Sequence, residues 1–415
     1  MHLFVGLAYK RCVGSFIFRN EDGHRQGVLS VNQGETTLGV GMVGYGYMGK
    51  MHSYAYASLP FIYHPLPFRI KLVGACAPSE GSRNLALESA GYEFATPDYE
   101  ELLARDDVSI INVCTPNYLH KEQAIAAIRA GKHVYCDKPL ALTGADAQEM
   151  ADLARESGLT CQVTFHNRFC PALLRARQLV EDGFLGDVIS FRAVYLHAGY
   201  NDPNRPMSWK MRRETSGAGS LLDLGTHIID IVRWLAGDFA KVNARLRTLV
   251  KERPTRAGSS ELEPVTVDDI ATMMVEMPNG ALGTIEVSRM AIGTTDDLRF
   301  EIYGSKGSIS FDLMDPNWLS IYDESKPGGT YGGQRGWQKI ETIQGYPKPA
   351  VLPGAKAPVG WMRFHIASLY SFVTNVVEGR PGSPSFEDGL AVQRICDAAA
   401  ASSASGAWEP IEKRA

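Results

Sequence analysis

The chain has 415 residues, of which 45% are hydrophobic and 21% are charged, and its formal net charge is -4. These values are typical of a globular protein of about two domains, and they do not favour a nucleic-acid or membrane-surface partner. No apolar run approaches the ~20 residues of a membrane span, and the first residues lack the order of a secretory signal. Seven scattered cysteines without a CxxC pair favour a reducing compartment, so we expect a cytoplasmic protein.

Residues 1–37 show no sustained hydrophobic period, and we interpret them as an N-terminal extension that is either disordered or an artefact of the assigned start codon. From Leu38 onwards, short apolar segments alternate with helix-like segments. Apolar strands are predicted at 38–43, 70–77, 109–115, 132–136 and 160–165. Strands that alternate with helices predict a parallel, doubly wound sheet, so we assign residues 38–167 to a dinucleotide-binding Rossmann domain.

The pattern changes in residues 168–415. An irregular loop rich in Pro, Asn and Arg at 199–218 precedes an apolar helix at 219–236. Strand-like runs then follow one another without helices between them, and two helices close the chain. Consecutive strands favour antiparallel pairing, so we expect a second domain of the α+β class with a mostly antiparallel sheet.

Three glycines, Gly44, Gly46 and Gly49, lie between the first predicted strand and the first helix. In a dinucleotide-binding loop, the first glycine permits a tight turn, the second lets the backbone approach the pyrophosphate and the third lets the helix pack on the strand. The helix start, which includes Tyr47 and Met48, would present free N–H groups to the phosphates. A glycine-rich structural turn is the alternative.

The second predicted strand ends at Ala77 without the carboxylate that usually binds the adenosine ribose diol. Glu80 lies in the following loop and could reach the diol. Ser79 and Arg83 could instead hold a 2'-phosphate. The pattern therefore predicts either NAD or NADP as the cofactor.

Further polar residues follow later strands of the predicted sheet, at the edge where ligands of open α/β sheets bind. The candidates for cofactor contacts there are Thr115, Pro116, Asn117, His120 and Asp137. A turn or a helix cap would use the same residue types, so each candidate also has a structural explanation.

Lys138 follows the predicted strand 132–136, and the proline after it favours an extended backbone at the mouth of the sheet. A lysine beside a nicotinamide could take or give a proton near neutral pH. In the helix of the second domain, Asp223 and His227 are four residues apart and share one face. They predict an acid–base pair in which the carboxylate orients the imidazole, with an exposed ion pair as the simpler alternative. No third ligand has a recognisable spacing, so we expect no metal site.

The glycine loop, "DKP" at 137–139 and "DLGTHIID" at 223–230, in this order, resemble the Gfo/Idh/MocA family of oxidoreductases over roughly residues 38–408. That family usually has Glu-Lys-Pro where this chain has Asp-Lys-Pro. The resemblance implies NAD(P)-dependent hydride transfer at a sugar or polyol carbon. It also implies that the second domain has an open sheet that forms dimer or tetramer contacts.

The same resemblance implies that Lys138, Asp223 and His227 are catalytic and contact the substrate, and that Arg168 lies near the nicotinamide and the substrate. Within the family, the segments "MGKMHSYAYASLPF" and "DPNRPMSWKM" are similar to levoglucosan-dehydrogenase-like enzymes. The second of these segments would place substrate contacts at Arg205, Trp209 and Lys210. These relatives mostly use NAD, which favours NAD over NADP.

Together these features predict a dehydrogenase of a sugar, an anhydrosugar or a cyclitol, in which Lys138 or His227 removes the hydroxyl proton. One alternative is a glycoside-cleaving enzyme that holds and recycles NAD through oxidation and elimination. The other is a catalytically inactive, cofactor-sensing binding protein, against which the retained Lys138, Asp223 and His227 argue.

Overall fold

The computed structural model describes residues 36–351 and 357–412, together with the backbone of two short strands near the N-terminus. Those strands, β1 (Phe16–Arg19) and β2 (Arg25–Leu29), pair in antiparallel fashion. The end of the predicted extension, at residues 36 and 37, already belongs to the first strand of the large N-terminal sheet. The remaining parts of that extension lie outside the described residues.

A six-stranded parallel sheet forms the centre of the N-terminal domain. Its strands are β3 (Thr36–Val43), β4 (Phe68–Cys76), β5 (Phe94–Thr96), β6 (Ile110–Val113), β7 (His133–Cys136) and β8 (Cys161–Val163). The strand order is β5-β4-β3-β6-β7-β8, and all pairs are parallel. This order is that of the doubly wound dinucleotide-binding fold, whose ligands bind where the order reverses, between β3 and β6. The predicted Rossmann domain is confirmed.

Helices cover both faces of this sheet, which explains why strand β6 is buried along its whole length. The helices are α1 (Tyr47–Ile62), α2 (Glu80–Leu85), α3 (Glu100–Leu103), α4 (His120–Arg129) and α5 (Gly144–Ser157). Helix α5 has clear end signals: the Thr143 hydroxyl accepts a hydrogen bond from the Asp146 N–H at 3.2 Å, and Gly158 ends the helix at a φ of 67°.

The second domain contains a nine-stranded sheet and a separate two-stranded hairpin. The strands are β9 (Val188–Leu196), β10 (Lys241–Arg247), β11 (Glu252–Pro254), β12 (Leu262–Pro264), β13 (Ile270–Glu276), β14 (Leu282–Ser288), β15 (Asp297–Gly304), β16 (Gly307–Asp312), β17 (Trp318–Asp323), β18 (Gln338–Glu341) and β19 (Glu409–Pro410). Strands β11 and β12 form the hairpin, and the large sheet has the order β18-β17-β16-β15-β9-β14-β13-β10-β19. Only the pair β9–β14 is parallel, so the expectation of a mostly antiparallel sheet is confirmed.

The described residues of this half of the chain form five α-helices. None of the described helices is long and apolar enough to cross a membrane. They are α6 (Pro171–Glu181), α7 (Arg213–Ser216), α8 (Thr226–Ala236), α9 (Trp361–Val377) and α10 (Phe386–Ser405). Helix α10 packs along β10, where the Ser402 hydroxyl accepts a hydrogen bond from the Ala244 N–H at 2.9 Å. Helix α9 returns to the N-terminal domain, where Tyr370 stacks on Tyr63 with ring centroids 3.7 Å apart.

A buried ion pair joins the segment that follows β8 to two helices of the second domain. The Arg168 guanidinium donates to both carboxylate oxygens of Asp230, at 2.8 and 2.5 Å, and to Asp388 at 3.1 Å. Burial raises the pKa of Asp230 to about 6 even though Arg168 opposes the shift. The arginine is 5% exposed, so its charge depends on these two carboxylates.

Replacement of Asp230 by alanine should therefore destabilise the fold by about 3–5 kcal/mol, because it leaves the Arg168 charge buried without its main partner. Thermal unfolding measures this loss, and the Kd for NADH should not change in the folded fraction. Asp238→Ala removes an exposed carboxylate that pairs with Arg233 at 2.7 Å and should change the stability by no more than about 0.5 kcal/mol. Normal stability with weakened NADH binding in Asp230→Ala would instead assign Arg168 to the cofactor site.

Candidate active site

A cleft of about 420 Å³ lies between the carboxyl edge of the N-terminal sheet and the large sheet of the second domain. The sequence-predicted residues that line it are Tyr47, Met48, Asp137, Lys138, Arg205, Lys210, Asp223 and His227. The cleft thus collects residues from the glycine loop, a strand end of the first domain and a helix of the second. Within the described residues, no group of three His, Cys, Asp or Glu side chains is arranged to hold a metal ion.

The side chain of Lys138, a residue of the first domain, contacts the second domain. It follows β7, and its ammonium donates to the backbone oxygen of Asp223 at 2.7 Å and to the Asp223 carboxylate at 3.0 Å. The neighbouring Asp137 carboxylate accepts a hydrogen bond from the backbone N–H of Lys138 at 2.8 Å. The lysine is consequently fixed at both its backbone and its charged end.

Asp223 is surrounded by cations. Besides Lys138, the Lys210 ammonium and the Arg289 guanidinium each lie 3.6 Å from its carboxylate oxygens. Burial alone would raise the pKa of Asp223, but the charges of Lys138, Lys210 and Arg289 hold it well below its ordinary value. The Asp223 side chain is therefore ionised, and its carboxylate pairs with the ammonium groups of Lys138 and Lys210.

The helix predicted at about 219–236 is formed, but its beginning around Asp223 is a wider, π-helical turn. A π-helical turn, Leu221–Gly225, precedes α8, and such turns are frequent at functional sites. The Asp268 carboxylate caps its start by accepting from the N–H of Gly219 at 2.7 Å and from the N–H of Leu221 at 2.9 Å. Because Asp268 stands far away in the sequence, no local pattern predicts this cap.

His227 lies in the cleft, but the predicted hydrogen-bonded pair with Asp223 is not formed. The Asp223 carboxylate bonds to Lys138 instead, and the Nδ1 atom of His227 has no hydrogen-bond partner among the described residues. Burial and the nearby Lys138 charge lower the pKa of His227 well below its ordinary value. The imidazole is therefore neutral and able to accept a proton.

Behind His227, the inner wall of the cleft is a cluster of buried aromatic rings that the sequence did not reveal. His166 stacks on His365 with centroids 3.8 Å apart, and the His166 and His227 rings lie 5.1 Å apart. Burial lowers the pKa of His166 and of His365 well below the ordinary value, so this wall is uncharged. Trp361, at the start of α9, completes the wall and stacks on Tyr47 at 6.2 Å.

The predicted substrate residue Trp209 is not among the residues that line the cleft in the described part of the chain. It lies in the 3₁₀ turn Trp209–Met211, which directs Lys210 into the cleft instead. The aromatic side chains that line the cleft include Trp361, Tyr47, Tyr195 and Tyr200. Arg168 is likewise absent from the lining, because Asp230 and Asp388 engage its guanidinium.

The glycine loop has the shape that a pyrophosphate requires. Gly44 has a φ of 94°, and a Cβ on Gly49 would lie 2.2 Å from the backbone oxygen of Gly44. By contrast, a Cβ on Gly46 would meet nothing within 4 Å. No side chain caps the start of α1, so its first N–H groups face this open space. The loop therefore fits a dinucleotide phosphate at Gly46.

Two of the candidates for the adenosine end lie after β4. The Ser79 hydroxyl caps α2 by accepting from the Ser82 N–H at 3.2 Å. The Arg83 guanidinium donates to the backbone oxygens of Ala77 and Pro78, at 2.9 and 2.8 Å. Both side chains thus stabilise the loop at the strand end where a ribose would bind.

The candidates after β6 brace the cleft rather than open into it. The ring nitrogens of the fully buried His120 lie 2.8 Å from the Pro139 oxygen and 2.9 Å from the Thr115 oxygen, so both nitrogens already have partners within the protein. The Thr115 hydroxyl donates to Gln123 at 2.7 Å. The Asn117 amide donates to the Ser216 oxygen at 3.0 Å and so links the two domains. Pro116 immediately precedes the 3₁₀ turn that contains Asn117.

Both halves of the chain match known protein families. Residues 38–165 match the oxidoreductase family with an NAD-binding Rossmann fold, and residues 173–310 match the GFO/IDH/MocA C-terminal domain. Levoglucosan dehydrogenase from Pseudarthrobacter phenanthrenivorans is 36% identical over 390 residues, which cover 90% of this chain and 98% of that protein. Myo-inositol 2-dehydrogenase from Thermotoga maritima is 28% identical over 351 residues, or 84% of this chain and 91% of that protein.

Solved structures give the same result. Levoglucosan dehydrogenase in complex with NADH has a TM-score of 0.86 and 35% sequence identity, and the match covers 91% of this chain and 100% of that chain. The complex of levoglucosan dehydrogenase with NADH and levoglucosan matches with the same values.

Two of the three glycines of the loop, Gly46 and Gly49, provide a matched test of the cofactor site. Gly46→Ala should leave the stability unchanged and weaken NADH binding, because its methyl group enters open space that the pyrophosphate would occupy. Gly49→Ala should lower the stability, since its methyl group collides with the backbone at Gly44. Fluorescence titration with NADH and thermal unfolding measure the two effects. An unchanged Kd for NADH in folded Gly46→Ala would show that the loop is a structural turn and does not bind the cofactor.

Proposed function

The chain belongs to the GFO/IDH/MocA oxidoreductase family, and from that premise we propose that it is an NAD-dependent dehydrogenase of a small sugar, anhydrosugar or cyclitol. The observation that carries the proposal is the Lys138 ammonium, which Asp223 holds at 3.0 Å in a cleft that opens beside the glycine loop. Family members named as dehydrogenases of levoglucosan and myo-inositol support this substrate class.

The cleft supplies one group that accepts a proton and a separate group that stabilises negative charge. The neutral His227 imidazole is the group that accepts the proton of the substrate hydroxyl during oxidation. The Lys138 ammonium stabilises the negative charge that develops on that oxygen, because Asp223 fixes its position before the substrate arrives. In the reverse direction, the His227 imidazolium returns its proton to the oxygen, and the Lys138 ammonium again stabilises the negative charge that develops there.

The cofactor residues support NAD as the hydride acceptor. Gly44, Gly46 and the start of α1 would hold the pyrophosphate, and Asp137 lines the cleft that would receive the nicotinamide. The Arg83 guanidinium is already engaged by two backbone oxygens, which favours an unphosphorylated ribose. Bound NAD supplies the oxidising equivalent for the alcohol.

We also propose that the open face of the nine-stranded sheet forms a homo-oligomer contact. Its strands alternate buried and exposed side chains, and the exposed face includes Met274 and Leu282 on the adjacent strands β13 and β14, at 49% and 57% exposure. Large exposed apolar side chains that neighbour one another favour protein contact.

The proposed function is tested with a panel of levoglucosan, 1,5-anhydroglucitol, myo-inositol and common aldoses, each with NAD and with NADP, followed at the nicotinamide absorbance. We expect reduction of NAD by at least one of these compounds. Turnover with NADP alone would contradict the cofactor assignment, and no reduction with any compound would contradict the dehydrogenase assignment.

Lys138→Met should lower kcat by about 10²- to 10⁴-fold, because it removes the charge that stabilises the developing alkoxide, and the Kd for NADH should stay within a few-fold. Lys121→Met, which removes a surface lysine paired with Asp146 and Glu149, is the matched control and should retain full activity. A fall of less than tenfold in kcat for Lys138→Met at saturating substrate would remove Lys138 from the mechanism.

The low pKa of His227 predicts the pH dependence of oxidation. Because burial and the Lys138 charge keep its imidazole neutral, kcat/KM should show no fall that belongs to His227 between pH 8 and about pH 6.5, the ordinary pKa of a histidine. His227→Gln should be slow across this whole range, since it cannot accept the proton. An acid limb near pH 6.5 that disappears in His227→Gln would show an ordinary, solvated histidine and contradict the buried neutral base.

A further inference from the structure

We propose that His197 and Asp296 form a binding site for two hydroxyl groups of the substrate other than the one that is oxidised. This inference rests on the proposed function and specifies the ligand of the same cleft. It restricts the substrates to compounds with free hydroxyl groups next to the reacting carbon.

The register of the large sheet brings these two residues together. Strands β9 and β15 are antiparallel, and Leu196, the last residue of β9, pairs with Asp297, the first residue of β15. His197 and Asp296 therefore leave the sheet at the same end, although 99 positions separate them in the sequence. Both side chains line the cleft, together with Tyr195.

The three side chains share one hydrogen-bonded atom. The Tyr195 hydroxyl donates to Asp296 Oδ1 at 2.6 Å, and His197 Nε2 lies 3.0 Å from the same oxygen. Although burial opposes it, these bonds lower the pKa of Asp296, so its side chain is a carboxylate. No hydrogen bond to Asp296 Oδ2 is formed from any side chain in the described part of the molecule.

The carboxylate determines the proton position on His197. A carboxylate oxygen only accepts hydrogen bonds, so an imidazole in its neutral form carries its proton on Nε2 at this position. Its Nδ1 atom is then a lone-pair acceptor. The Tyr195 and His197 protons are both directed to Oδ1, which leaves Asp296 Oδ2 and His197 Nδ1 as the free polar atoms of the group.

Two free acceptors without a free donor select a ligand that offers donors. The side chains of His197 and Asp296 are 33% and 35% exposed, so a ligand in the cleft can reach them. Hydroxyl groups satisfy both atoms. A carboxylate or phosphate would be repelled by the Asp296 charge and would offer no proton to either acceptor.

This group lies next to the proposed base. The Tyr195 ring contacts His197 edge to face at 5.0 Å and His227 at 5.9 Å. The acceptors therefore lie one aromatic ring away from the imidazole that receives the proton. A cyclic polyol with one hydroxyl at His227 presents its neighbouring hydroxyls towards this wall.

The experiment measures KM and kcat for levoglucosan and myo-inositol and for their monodeoxy analogues, with wild-type enzyme, Asp296→Asn and His197→Gln. In the wild type, removal of a contacted hydroxyl should raise KM about ten- to hundredfold, the size expected for a hydrogen bond to a charged acceptor. Asp296→Asn should raise KM for the parent sugar by a similar factor with kcat within a few-fold. The same variant should lose most of the discrimination between the parent sugar and the deoxy analogue.

Asp297→Asn is the matched control, because the neighbouring aspartate bonds to Arg299 at 2.6 Å on β15 and does not line the cleft. It should retain wild-type KM values and wild-type discrimination. Thermal unfolding and NADH binding establish that each variant is folded, and His197→Gln takes the place of Asp296→Asn if the latter is not.

The possible outcomes separate this inference from the proposed function. Wild-type turnover combined with unchanged discrimination in Asp296→Asn would overturn the hydroxyl site and leave the dehydrogenase assignment intact. A loss of kcat that is equal for the parent sugar and the deoxy analogue, without a change in KM, would also overturn the hydroxyl site. It would show that the pair acts in the fold or in the chemical step. Failure of the wild type to reduce NAD with any sugar would remove the proposed function and this inference with it.

Discussion

The contact between Lys138 and Asp223 is the constraint on which the site depends. A lysine from a strand end of the N-terminal domain donates to both the backbone oxygen and the carboxylate of an aspartate in the second domain. A partly buried cation needs such a partner, and a partly buried anion needs its cations. The contact therefore fixes how the two domains meet at the cleft. It also holds the Lys138 ammonium beside Asp223.

The same contact sets the protonation of its neighbours. Asp223 is surrounded by positive charge and stays ionised, whereas His227 is buried close to Lys138 and stays neutral. An expected aspartate–histidine couple is thus replaced by a lysine–aspartate ion pair and an independent neutral imidazole. In the proposed mechanism, this division of charge separates alkoxide stabilisation from proton acceptance within one cleft.

The sequence revealed the parts of the site that lie in local motifs. The glycine loop, the strand-end Lys138 and the helix with Asp223 and His227 are each recognisable from residue type, spacing and the elements around them. Their chemistry and the order of the two domains could be predicted because strand and helix periodicity places those residues at the carboxyl edge of a parallel sheet.

The remaining parts depend on tertiary contacts that leave no local signal. His197 and Asp296 meet only through the register of β9 and β15, and Trp361 reaches the cleft only because α9 packs back on the N-terminal domain. For the same reason, the sequence did not show that the ring nitrogens of His120 contact the backbone oxygens of Pro139 and Thr115. The residue type indicates which reactions or contacts a side chain can make. Its hydrogen-bond partners in the fold decide whether the side chain is available for them.

The most direct test of the account is a double-mutant cycle between Lys138→Met and Asp223→Asn, measured as kcat/KM for the best sugar of the panel. If the aspartate acts by holding the lysine, the two changes are strongly non-additive, and the double variant is about as slow as Lys138→Met alone. Effects that multiply independently would contradict the account, because they would show that Asp223 and Lys138 contribute to the reaction separately.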